Sequence, residues 1–429
     1  MKNSIRKISS CLAIAIIIFL FSQWFENTSL GKVLLNASWI FVQNIMNEDE
    51  DETFEKIVIV NMEEIPRNKK GITQRESLLK LVKEVVSEEP LAIGMAIAFN
   101  VDSDHKRLTP EETNFIQELQ LLKNPRNTPI FLGVNISGSL KNPPGKWFGT
   151  NDWDKFAATI AIEEKDTRKI IREFYFKKEG RVLPSLSKRL YDAYCASYDS
   201  CKCIEDAFPQ NFHFEFTSRC IVETGMNVRV NEFWVDYSKN KEFSDKAINI
   251  NYLGNGENNA VQYINSIDKR KLNRKIVIIG SISKEEDRHA ILGPESIISG
   301  TVIHAAGVYT LIKGPIRIFS TFAKAVFDIS FSIIIVLFIV PIIHGIIAKI
   351  FHRKLDDSRA ETALIFLCAL FFCFLGIICA AKTRIMWSNF IIVWPLMGLT
   401  PWLSKWIYRG YNHIGYILCK YFIKGNIEK

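Results

Sequence analysis

Asp287, His289, Glu295 and His304 place two carboxylates and two imidazoles in one short stretch of the chain. Such a set can coordinate a metal or hold a polar ligand, and both histidines would titrate near neutrality where their surroundings allow. The plainer reading makes Asp287 a turn cap and His304 a buried histidine bonded to a backbone carbonyl. A second group is sulfur. Of nine cysteines, Cys195, Cys201, Cys203 and Cys220 sit together. In an oxidising compartment that even number reads as two disulfides, with three possible pairings. Cys201 and Cys203 with His213 and Cys220 could instead hold zinc, although their spacing is off the usual hairpin. Cys11, Cys368, Cys373, Cys379 and Cys419 lie in or near apolar segments and read as packing residues.

The common catalytic signatures are absent. There is no G-x-x-x-x-G-K-[ST], no G-x-G-x-x-G after a strand, no H-E-x-x-H and no G-x-S-x-G. No catalytic residue, metal site or cofactor is assigned, and the expectation is a protein without enzymatic activity. A net charge of +8 is modest for 429 residues, and no basic run is interleaved with aromatics. Nucleic acid is therefore not an expected partner.

The elements that must position these groups alternate between strands and helices. Lys275 to Ile279 is a β-branched strand that leaves through Gly280 and Ser281. A polar loop carries Asp287 and His289, Gly293-Pro294 breaks it, and Gly300 opens the apolar segment Thr301 to Leu311. Upstream, Ile57 to Val60 is apolar on both faces, as a strand in a sheet covered on both sides must be. A helix over 74–87 buries Leu78, Leu79, Val82, Val85 and Val86, and a strand over 91–99 completes a β-α-β unit. Thr109-Pro110 caps a helix reaching about Lys123. Strands are expected at 129–134, 157–163, 170–176 and 247–253, and helices at 184–198 and 261–268. Residues 195–235 show no clear period.

The ends of the chain are apolar. Lys2, Arg6 and Lys7 precede the run 8–25, which is about the length needed to cross ~30 Å of hydrocarbon and reads as an uncleaved signal anchor. Runs at 326–348, 363–381 and 386–403 read as three more spans, and the residues to 429 as a basic cytoplasmic tail. Asp328 and His344 are the ionisable residues of interest within those spans. Leu30, Val33, Leu34, Ala37, Ile40 and Phe41 recur at helical spacing, and the acids between 48 and 55 read as a solvated linker.

The order strand, glycine, polar loop with Asp287, glycine, apolar run and His304-Ala305 resembles the end of a CHASE2 domain, an extracytoplasmic sensor module of bacterial receptors. Ile248 to Gly254 resembles the family's "INY-x-G" strand, Asp166 to Arg172 its acidic-to-Arg segment, and Lys56 to Glu64 its first strand. The resemblance implies that Glu63, Arg172, Asp287, His289 and His304 line a ligand site. Departures stand at Ala96, where the family often has Asp, at Glu63 in place of Asp, and at Lys169 in place of glycine. They imply a different ligand or lost binding.

The expected organisation follows. Residues 1–7 are cytoplasmic, 8–25 span the membrane, and 26–320 form an extracytoplasmic α/β domain whose mixed sheet is covered by helices on both faces, with 195–235 as a cysteine-bearing insertion. Three spans and the tail 404–429 complete it. The expected protein is a multi-pass sensor subunit of a bacterial inner membrane. It would detect an extracytoplasmic ligand and pass the signal to a separate effector protein, with a homodimer plausible. The alternative expectation is a scaffold that binds an envelope component and transmits nothing.

Overall fold

A computed structural model describes residues 20–21, 24–25, 28–46, 51–67, 73–99, 109–122, 127–134, 155–162, 169–176, 180–198, 218–223, 226–250, 271–282, 288–290, 297–314, 316–318, 326, 330, 371, 374–379 and 381–386. The chain forms two compact units, Gln43–Arg317 and a second one made of Met1–Val42 with Ile318–Lys429. The four expected spans are not supported: among the described residues no helix is long and apolar enough to cross a membrane. Most of the four stretches lies outside those residues. Helix α1 (Ser29–Met46) is long enough but carries Ser29, Lys32, Asn36, Gln43 and Asn44. Its Leu30, Val33, Leu34 and Phe41 are exposed, while Trp39 and Val42 are buried.

The unit Gln43–Arg317 is built on a parallel sheet. Its strands are β1 (Ile57–Asn61), β2 (Ala92–Met95), β3 (Ile130–Val134), β4 (Ala157–Thr159), β9 (Ile248–Asn249) and β10 (Ile276–Gly280), in the order β4-β3-β2-β10-β1-β9. β10 lies between β1 and β2, pairing Asn61 with Gly280 and Met95 with Ile279. Successive side chains point to opposite faces, so β10 divides cleanly. Val277 and Ile279 join one core with α2 (Arg75–Ser87) and α3 (Pro110–Leu121). Ile276 and Ile278 join the other with α4 (Leu186–Ser197) and α6 (Gly300–Lys313).

The helix starts follow local chemistry. Thr109 and Glu112 form a reciprocal capping box ahead of Pro110. Ser185 accepts from Lys188 N at 3.2 Å and Ser299 from Val302 N at 3.3 Å. α2 and α3 are also joined by a buried ion pair, Arg75 Nη2 to Glu112 Oε1 at 2.8 Å, with the guanidinium 4.6 Å from the Phe99 ring.

Among the described residues the strands expected in one mixed sheet are divided between this parallel sheet and a separate antiparallel one. β5 (Lys169–Phe176), β6 (Arg181–Pro184), β7 (Ser218–Glu223) and β8 (Met226–Trp234) form a separate antiparallel sheet, ordered β6-β5-β8-β7. Residues 218–234 therefore belong to a sheet with β5, because the β7–β8 hairpin pairs along its length.

Beyond β8, Gln43 and Thr310 hold the backbone of residues 235–237. Gln43 Oε1 accepts from Tyr237 N at 2.5 Å and its Nε2 donates to Val235 O at 3.4 Å. Thr310 Oγ1 accepts from Asp236 N at 2.8 Å. A short helix, α5 (Asn240–Asp245), follows, and its Phe243 packs 4.7 Å from the Phe54 ring.

Candidate ligand-binding site

β1 leaves the sheet towards α2 on one face, whereas β10 leads to α6 on the other. Adjacent parallel strands whose connections part in this way open a crevice at their carboxyl ends, where open α/β sheets bind ligands. Here Asn61 spans it. Its Nδ2 donates to Asn249 Oδ1 at 2.8 Å, and its Oδ1 accepts from the backbone N–H groups of Glu63 and Ile282, each at 3.3 Å. One side chain thus ties the ends of β9, β1 and β10.

α6 begins at the same edge. A Cβ on Gly280 would lie 2.2 Å from Thr301 Oγ1 and 3.1 Å from the Ala96 Cβ, so glycine is what lets the start of α6 rest on the strand end. Thr301 is fully buried, and among the described residues its hydroxyl has no hydrogen-bond partner. Ser281, the next residue of the β10 exit, is also buried with an unpartnered hydroxyl. Buried hydroxyls are rarely left this way, which marks this edge as a place for a polar guest.

The residues singled out from sequence are dispersed. Glu63 lies on the crevice rim, exposed, two residues beyond β1. His289 is half-buried on β11 (Arg288–Ala290), opposite Ile298 of β12 (Ile297–Ser299), the hairpin leading into α6. His304 is buried on α6 and faces α4: Ser187 Oγ lies 3.4 Å from His304 Nδ1 and donates to its carbonyl at 3.0 Å. Arg172 sits in the other sheet at a bulge between Ile171 and Glu173, and its carbonyl accepts from Ser185 N at 2.7 Å. His304 and Arg172 thus meet the start of α4, not the crevice. Asp287 and Glu295 lie outside the described residues.

Disulfides are not supported either. Cys195 on α4 carries a free thiol, as does Cys379. Cys201, Cys203 and His213 lie outside the described residues, and Cys220 is placed only by its backbone pairing with Arg229. Among the described residues no three His, Cys, Asp or Glu side chains gather as a metal site requires.

Sequence reasoning missed Asn61, Asn249 and Thr301. The available signal was modest: an asparagine ending an Ile/Val strand, and Gly280 ending another.

At its far end, about 20 Å away for fourteen residues at 1.5 Å rise, α6 meets Asp51. Asp51 Oδ2 accepts from Tyr309 OH at 2.5 Å and from Lys313 Nζ at 2.7 Å, and its Oδ1 from Thr53 N at 2.9 Å. Burial pushes this carboxyl up, but those bonds and the Lys313 charge outweigh it and hold it at about 2. Asp51 was expected in a solvated linker; its carboxylate is instead 6% exposed.

The CHASE2 domain pattern matches residues 11–343, and the chain belongs to the CHASE2 family. That is a family of sensory domains, usually placed outside the cytoplasm. Neither a search of curated proteins nor one of solved structures found a match.

Proposed function

We propose that this chain is an extracytoplasmic sensor whose ligand enters the crevice between β1 and β10, and whose ligand-dependent change is read by a separate effector protein. The observation that carries this is Asn61. A side chain joining three strand ends at a switch point is displaced or tightened by whatever binds beside it. α6 gives the change a route, since it starts against Gly280 and ends on Asp51. A ligand favouring one arrangement of this helix shifts the population by its difference in affinity for the two. Asn61, Asn249, Ser281 and Thr301 do not titrate near neutrality, which suits binding without turnover.

The test is thermal unfolding of the full chain against amino acids, sugars, organic acids and inorganic phosphate. A true ligand at a hundred times its Kd stabilises by about 2.7 kcal/mol. Asn249→Ala should weaken such a ligand at least tenfold. A ligand that binds this variant unchanged would put the site elsewhere. No stabilisation by any compound, with Asn249→Ala and Ser281→Ala both folded and neutral, would favour the scaffold reading.

A further inference from the structure

We infer that the group recognised at this edge is a small oxyanion, a carboxylate or a phosphate, received by the amino end of α6 beside Thr301. The inference rests on the crevice reading above and names the chemistry of its guest.

α6 is fourteen residues long, and its first turn is buried at the carboxyl end of β10. The first N–H groups of a helix have no partner within it, and the aligned peptide dipoles place roughly half a positive charge there. Ser299 satisfies only the Val302 N–H. The N–H groups of Gly300 and Thr301 precede the first intrahelical bond. The second observation is independent of the helix end. The Thr301 hydroxyl is fully buried, has no partner among the described residues, and lies against Gly280 where the helix start rests on the strand end.

These groups are donors, or can act as donors, at the start of one helix, and an oxyanion is the guest that only accepts. Asn249, whose Oδ1 accepts from Asn61 Nδ2, carries an amide at the neighbouring strand end. The alternation of β1, β2 and β10 puts Asn61, Ala96 and Gly280 on the α6 face of the sheet, with Ile59 and Ile278. None of those three is acidic. Among the described residues the acids just beyond β1, Glu63 and Glu64, are exposed, and water screens them.

The site is closed as it stands, because Thr301 has no solvent exposure. An anion therefore enters only as the start of α6 moves off Gly280. Binding and displacement of α6 are one event.

The experiment is titration of the full chain with sodium phosphate, sulfate and acetate at constant ionic strength, read by thermal unfolding and calorimetry. The wild type should show saturable stabilisation by at least one of them, and the preferred anion separates a phosphate-type from a carboxylate guest. Thr301→Val keeps the shape and removes the hydroxyl, and should weaken that anion at least tenfold. Ala96→Asp puts an internal carboxylate beside Gly280 and should abolish anion binding. No saturable effect of any anion up to about 10 mM, roughly the weak end of useful affinities, overturns the inference. So does unchanged affinity in Thr301→Val, or in Ala96→Asp should Thr301→Val fail to fold. A neutral ligand lost in Asn249→Ala but retained in Thr301→Val would uphold the crevice and sink the oxyanion.

Discussion

Lys313 and Asp51 form an ion pair of 2.7 Å that fastens the last turn of α6 to the segment just ahead of β1. Tyr309 completes it, donating to the same carboxylate oxygen and accepting from Lys313 at 2.9 Å. The pair lies at the opposite end of α6 from the candidate site, so its strength sets how freely that helix shifts.

This pair gives stability a pH dependence of known sign. The Asp51 carboxyl is held at about 2 against an ordinary 3.8, so the folded state binds its proton less readily than the unfolded chain. The contribution is fully present above about pH 4 and is lost as pH falls towards 2. Asp51→Asn should lower the Tm at neutral pH by several degrees and flatten the acid limb between those values. A variant with the wild-type acid limb would show that the pair contributes nothing.

Arg75 and Glu112 are each 3% exposed at their side chains, and removing one partner strands the other charge in a dry place. Glu112→Ala should cost about 3–5 kcal/mol in urea unfolding, because it also opens the capping box of α3. The double variant Arg75→Met with Glu112→Leu should recover much of that loss, since no buried charge remains.

Gly280 tests the contact between β10 and α6. Gly280→Ala drives a methyl into the Thr301 side chain and should cost about 1–3 kcal/mol as overpacking. In Gly280→Ala with Thr301→Ala, the clashing atoms are gone from one side, and the two changes should be strongly non-additive. Simple additivity would mean that the helix start is not pressed against the strand.

His304 separates packing from recognition. Its ring and carbonyl both meet Ser187 inside the α4–α6 contact, away from the crevice. Ser187→Ala should cost about 1–3 kcal/mol by leaving buried polar groups short of a partner. Affinity for any ligand of the crevice should stay within twofold of wild type.

The strands and helices of the parallel half were readable because their signals are local. Ile57 to Val60 and Lys275 to Ile279 are β-branched runs, Thr109-Pro110 is a capping sequence, and the α2 stripe keeps helical spacing. What sequence could not show was adjacency. β10 slips between β1 and β2 although it comes last among them, and nothing local marks that. The acids around Asp51 look solvated for the same reason: their anchor, Lys313, stands 262 positions away. Thr301 to Leu311 offers no period because α6 is buried on every side, so the helical pattern of apolar and polar faces never forms. Two residues that looked chemical, His304 and Arg172, lie where their segments meet the start of α4. The candidate site is made of asparagines, a threonine and a glycine, whose meaning appears only once their strands are side by side.

Gln43 holds the backbone of Val235 and Tyr237 and Thr310 that of Asp236 between them, each from near one end of the unit Gln43–Arg317. In mechanical terms these bonds form a short link across the unit's terminals. Tension pulling residues 43 and 310 apart is carried through that link in shear before it reaches the strands of the parallel sheet. The crevice is thereby shielded from load, and a displacement of 235–237 reaches both terminals together. Pulled from its ends, the unit should yield first at this link, with the sheet still intact.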